Sequence, residues 1–508
     1  MDSSAPTGQR LDWSVFGPTL IVVLVCTIAL VFFPETASQA AAAGRAFTIN
    51  NLGWLFLFAG LAFFVFALWL AFGRFGGIKF GDPDEKPEYS DIHWVGMMFT
   101  AGVGGGLLVW GFAEPIFYIQ TPPFGIEPLS PAAIEWAHMY PLFHWGLIPW
   151  ALFAIPAVPI AYMLYVKKTP IMRISSACDG ALPATGRAVS HTVIDIFIVI
   201  GIIGGTATAL GLGAPLVSAF FSELLGIEDS LGAKMTVLGL WTLLFGISCY
   251  RGLKKGIRVL ADINLTIAML VIAFILVVGP TLFILDLSVN SLGLMLKNFW
   301  SMSLWTDPVT KSNFPQDWTV FYWTWWLAFS AYIGLFFGRI SRGRTVKQLV
   351  LGVIFWGTLG TWTFLAVVGG YALYLHNFDL LPMVDILNQD GISVLAAKSV
   401  ASMPLGKITL AVVTLLAVIF YATNIDSAAY VLASICTRDL PNNEEPQRST
   451  RITWAILLAL LTGGLISLGG IATIQASTIV SALPLVPITI LMCVSLYRWL
   501  GQDTKLPP

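Results

Sequence analysis

Apolar runs of about 20 residues recur along the chain, separated by short polar stretches. They predict twelve membrane-crossing helices, near 14–33, 52–73, 94–112, 140–166, 190–218, 234–250, 260–285, 318–338, 349–374, 408–434, 452–469 and 475–499. Connecting segments hold short amphipathic pieces, such as 292–300 ahead of the eighth run. The first run precedes ETASQAAAA and has only Arg10 before it. It is long for a signal peptide and is expected to stay as an uncleaved span.

Composition agrees with this reading. The 508 residues are 57% hydrophobic and only 11% charged, with mean hydropathy +0.80, so an all-α polytopic membrane protein is expected. The charges are placed asymmetrically. With both termini inside, twenty-one of the 27 Lys and Arg fall on inner segments, and six (Arg45, Lys234, Lys297, Lys311, Lys398, Lys407) fall outside. That bias supports twelve spans with cytoplasmic termini, in a membrane of the bacterial inner type. Net charge −1 distinguishes no partner, and no nucleic acid is expected. The five cysteines have no metal spacing and are expected to form no disulfide. Tails of about 13 and 9 residues are expected to carry no regulatory module.

Three spans break the helical pattern at membrane depth. The third reads FTAGVGGGLLVWGFAEP, and its glycines predict either close helix packing or an unwound segment lining a wet cavity. The fourth carries Pro149, Pro156 and Pro159 among Trp145, Trp150 and Phe153. In the tenth, Thr423, Asn424, Asp426 and Ser427 interrupt an apolar run, either as helix-to-helix hydrogen bonds or as a functional site. The eighth packs Trp318, Trp323, Trp325 and Trp326 ahead of a Ser-Ala-Tyr-Ile-Gly stretch, 330–334, read as a second break. It ends on Arg339, Arg342, Arg344 and Lys347. Paired breaks suggest two inverted five-span blocks, 3–7 and 8–12, the sequence pointer to a transporter site. The expected boundaries are 1–93 (tail and two additional spans), 94–290 (first repeat), 291–499 (amphipathic linker helix and second repeat) and 500–508 (tail). His144 reads as a hydrogen-bonded structural histidine, Glu114 as a residue near the outer interface, and Asp426 as a brace. No nucleophile–base pair or metal cluster stands at recognisable spacing, so no enzyme is expected.

Across nearly the whole chain, the motifs GMMFTAGVGGGLLVWGFAEP (96–115), HWGLIPWALF (144–153), FYWTWWLAFSAYIG (321–334), RISRGRT (339–345) and TNIDSA (423–428) resemble the betaine/choline/carnitine transporter family. The resemblance implies twelve spans in a five-plus-five inverted-repeat, LeuT-like fold. It also implies a homotrimer in the lipid bilayer and alternating-access transport of trimethylammonium or dimethylsulfonium compounds. It places the aromatic box on Trp145, Trp150, Phe153 and Trp326, with Trp323, Trp325 and Phe329 as the neighbouring wall. Phe153 stands where the box commonly has tyrosine, Phe329 where tryptophan is usual, and Ser330-Ala331-Tyr332 where Ser-Pro-Phe is usual. Aromatic faces suit a methylated onium, which has no N–H to donate. Backbone N–H groups of 103–106, including Val103 and Gly104, are the candidate donors to a substrate carboxylate.

The same resemblance places a coupling sodium ion on carbonyls of Thr100, Val103 and Phe420 and side-chain oxygens of Thr423 and Asn424. No other cofactor is expected. Sodium-independent antiporters of the family carry an arginine in the seventh span, and 260–287 holds no Lys or Arg. Proton-coupled choline members carry an aspartate where Gly106 stands. Sodium symport is therefore the expectation, with sodium-independent exchange or proton-coupled choline uptake as alternatives.

Overall fold

A computed structural model describes residues 10–102, 104–169, 173–251, 254–441 and 444–503. The chain is mostly helical; its strands are the two-residue pair Arg10–Leu11 and Thr437–Arg438. Ten helices among the described residues are long and apolar enough to cross a membrane. The protein is thus a multi-pass membrane protein, with ten rather than twelve such helices among the described residues. The third expected span is split into Asp91–Gly102 and Gly106–Gln120, while those near 234–250 and 260–285 fall on the helices Leu231–Arg251 and Lys254–Val278, whose described apolar stretches are Leu231–Leu244 and Ile263–Val278. One unexpected helix qualifies. Thr281–Leu304, read from sequence as holding only an amphipathic piece, is apolar on both faces: Ile284, Leu287, Met295 and Phe299 are buried, and Leu282, Leu285, Val289, Leu292 and Leu296 are exposed.

Local signals set the boundaries. Pro131 opens its helix with Ser130 accepting from the Ala133 N–H, and Thr345 and Gln348 form a reciprocal cap for Val346–Asn377. Gly226, at φ +68°, ends Arg187–Leu225 in the left-handed conformation glycine tolerates.

The second expected break does not occur. Phe321–Arg339 is continuous through 330–334. Ser330 Oγ donates to Leu327 O of its own helix at 2.8 Å. A β-carbon on Gly334 would stand 2.7 Å from Pro156, and one on Gly338 3.0 Å from Ala157 O. These small residues let the tryptophan-rich helix lie flush on Leu147–Tyr165, which is what small residues do between membrane helices. The irregularity comes earlier: Pro315–Val320 is π-helical and runs straight into Phe321. Gly406–Ile435 is also uninterrupted through 423–428. Asp426 Oδ1 pairs with Arg451 Nη2 at 3.0 Å, an ion pair to the next helix rather than a brace for an unwound segment.

The basic loop after Phe321–Arg339 is laced to the loop that follows Pro34–Phe72. Gly343 N donates to Phe80 O at 2.7 Å, Phe80 N to Arg344 O at 2.8 Å, and Val346 N to Ile78 O at 2.9 Å. Arg344 lies over Trp94 at 3.9 Å and pairs with Asp91 at 2.8 Å.

Candidate functional site

Two helix breaks build the site. The first separates Asp91–Gly102 from Gly106–Gln120, where Leu107 N reaches Gly104 O at 3.3 Å and Leu108 N reaches Gly105 O at 3.1 Å. Bare α-carbons are required here by close approach. A β-carbon on Gly106 would lie 2.9 Å from Trp325 and 3.2 Å from Trp145, and one on Gly105 would overlap the Tyr421 ring. The second break falls at Trp145–Gly146, between Pro131–His144 and Leu147–Tyr165. Carbonyls released there are taken by the helix Val346–Asn377: Trp362 Nε1 donates to Leu142 O at 2.6 Å and Thr361 Oγ1 to Trp145 O at 2.5 Å. The break lifts Trp145 off the helix axis and turns its ring toward the tryptophan-rich helix. Its sequence signals are Gly146 at a helix boundary and Pro149 in the following first turn.

Trp326 is the centre of the aromatic cluster. Its ring lies 5.6 Å from Trp145, 5.6 Å from Trp150 and 4.6 Å from Phe153, centroid to centroid, at angles of 75°, 61° and 50°. These are edge-to-face and tilted contacts, the geometry aromatic quadrupoles favour. A cavity of about 70 Å³ opens beside it, lined by Gly104, Gly106, Trp145, Phe153, Trp325, Trp326 and Phe329, with Ala209, Tyr332 and Ile333 completing the wall. That volume holds several water molecules. Its walls are mainly ring faces and glycine backbone, a surface suited to an apolar-skinned cation.

Two of the expected residues stand away from the cavity. Trp150 is fully buried behind Trp326, with Nε1 donating to Thr361 Oγ1 at 3.2 Å. Trp323 points to the opposite side, against Phe143 and His144 at 5.3 and 5.9 Å and over Gly60 of Pro34–Phe72. Of the expected sodium ligands, Phe420 is buried in Gly406–Ile435. Val103 and the side chains of Thr100, Thr423 and Asn424 lie outside the described residues.

A polar cluster that sequence reasoning did not assemble sits directly behind Trp145. Glu114 is completely buried rather than interfacial. Its Oε1 accepts from Tyr118 Oη at 2.6 Å and meets His144 Nδ1 at 2.9 Å. Its Oε2 accepts from Tyr322 Oη at 2.8 Å and from Trp145 Nε1 at 3.2 Å. His144 Nε2 meets Thr319 Oγ1 at 3.0 Å, so the histidine is hydrogen-bonded on both nitrogens. The one local signal was the Glu114/Tyr118 spacing, four apart on one helix face.

Among solved structures, the chain resembles one described as "Substrate-bound outward-open state of a Na+-coupled sialic acid symporter reveals a novel Na+-site", at 14% identity and a TM-score of 0.43, over 82% of this chain and 79% of that one. The family description "BCCT, betaine/carnitine/choline family transporter" matches residues 14–505, nearly the full length. The chain therefore belongs to the betaine/carnitine/choline family of transporters.

Proposed function

We propose that this family member is a secondary active transporter importing a small onium compound, glycine betaine-like or dimethylsulfoniopropionate-like, by sodium symport with alternating access. The observation that carries the reading is the position of Trp326: it faces a small cavity and touches three further rings, two of which line the same space. Each ring face presented to a desolvated cation contributes about 0.5–2 kcal/mol. The backbone at Gly104–Gly106, free of side chains, is suited to meet a carboxylate at the other end of a zwitterion. The five-plus-five inverted repeat and the homotrimer belong to the same proposal. The exposed apolar stripe of Thr281–Leu304 suits either lipid or a neighbouring subunit.

The test is uptake into proteoliposomes of labelled glycine betaine, dimethylsulfoniopropionate, choline and carnitine, each with and without an inward sodium gradient. Sodium-driven accumulation of one onium is expected. Exchange that needs internal substrate but ignores sodium would move the protein to antiport, and uptake that follows a pH gradient would move it to proton coupling. Non-saturable flux would argue for a channel. Within the sodium reading, Thr423→Ala is expected to raise the sodium concentration for half-maximal uptake about tenfold, corresponding to roughly 1.4 kcal/mol for one oxygen ligand. Unchanged sodium activation in that variant would remove Thr423 from the ion site.

A further inference from the structure

We propose that Glu114 is a positioning residue for substrate recognition, its buried carboxyl group setting both the orientation of Trp145 and the cavity's preference for cations; this rests on the onium reading above. A carboxylate has about four lone-pair positions; here Tyr118, Tyr322 and Trp145 donate to it and His144 Nδ1 meets Oε1 at 2.9 Å. His144 is held in turn by Thr319 Oγ1 at Nε2, 3.0 Å, and by Tyr118 Oη at Nδ1, 2.9 Å. Among the described residues no Lys or Arg pairs with Glu114. A carboxyl group wholly buried at membrane depth, with a histidine as its partner, is a costly placement and therefore functional by default.

Its place is specific. Trp145 lines the cavity with its ring and points its N–H at Glu114 Oε2. The carboxylate is thus one indole away from the space a substrate would fill. A negative charge there would act on that space through a low-dielectric interior, with little screening. The indole N–H bond also fixes the Trp145 ring plane, and Tyr322, bonded to the same oxygen, packs against that ring at 5.6 Å. A shift of the carboxylate would therefore move a ring face that a cation must meet.

The experiment measures binding of glycine betaine, dimethylsulfoniopropionate, choline and carnitine to purified full-length protein: wild type, Glu114→Gln, Glu114→Asp and Tyr322→Phe. For the tightest ligand, Glu114→Gln is expected to weaken binding about tenfold or more, since it removes the charge and leaves the Trp145 or Tyr322 donor facing an amide N–H₂. Glu114→Asp, which keeps the charge, should recover part of the loss. Tyr322→Phe, which keeps the charge but frees one side of the carboxylate, should cost about threefold. Binding in Glu114→Gln within about twofold of wild type overturns the proposal. So does an aspartate variant as weak as the glutamine one. If Glu114→Gln does not fold, Tyr322→Phe decides, and unchanged affinity there overturns the proposal. A wild-type protein that binds none of the four oniums overturns the onium reading itself, a result distinct from wild-type binding with an indifferent Glu114→Gln.

Discussion

Trp326→Ala is expected to weaken onium binding about 30-fold or more, corresponding to roughly 2 kcal/mol for a desolvated cation over an indole face. The effect exceeds that of any other single ring because Trp326 is the common neighbour. Trp145, Trp150 and Phe153 each touch it, and two of them line the cavity with it. Removing the indole deletes one face and the backing of the others. It also empties a buried volume, and losses of this kind cost about 3–5 kcal/mol of stability in a packed core. Trp326→Phe separates the two consequences, because it keeps a π-face and most of the packing. Titration calorimetry on folded Trp326→Phe should show a smaller loss than Trp326→Ala. Wild-type affinity in both variants would remove Trp326 from the binding site.

The class of the protein and one of its two helix breaks were legible in the chain because each has a local cause. Apolar length marks membrane helices, and the glycines at 102–106 remove both side-chain packing and helix propensity. The same rule failed at 330–334. Serine and glycine weaken a helix in isolation, but here Gly334 and Gly338 admit Pro156 and Ala157, so tertiary contact stabilises what propensity disfavours. Small residues alone do not distinguish a break from a close crossing. The break at Trp145–Gly146 was obscured for the opposite reason. The apolar run continues across it, and its released carbonyls are satisfied by Thr361 and Trp362, more than 200 residues away.

Site legibility followed the same division. Phe153, Trp326 and Phe329 could be named from motifs, yet which tryptophans face the cavity depends on helix rotation. That rotation turned Trp323 toward Gly60 and set Trp150 behind Trp326. The Glu114 cluster draws on Tyr118, His144, Trp145 and Tyr322, positions up to 208 residues from the carboxylate. Beyond the Glu114/Tyr118 spacing no rule joins them; the packing of three helices does.

Gly357 is where that dependence on distant packing becomes testable. It lies on Val346–Asn377, outside every motif, and a β-carbon there would overlap the Trp150 indole. The ring has no easy escape: it is fully buried, hydrogen-bonded through Nε1 to Thr361, and in contact with Phe153 and Trp326 on its other side. Gly357→Ala is therefore expected to destabilise the protein by about 1–3 kcal/mol, the range for forcing a methyl group into a filled core. The helix-propensity gain of alanine over glycine, about 1 kcal/mol, is too small to reverse the sign. Relief has to come from moving Trp150, and Trp150 presses on Trp326. Substrate affinity should fall with stability, although Gly357 does not line the cavity. Thermal unfolding and ligand binding of the purified variant check both parts. A combined Gly357→Ala, Trp150→Leu variant should regain stability relative to the sum of its single changes, because the smaller side chain vacates the overlap. A Gly357→Ala protein as stable as wild type, with wild-type affinity, would show that the Trp150 ring is free to move and that the aromatic box is not braced from behind.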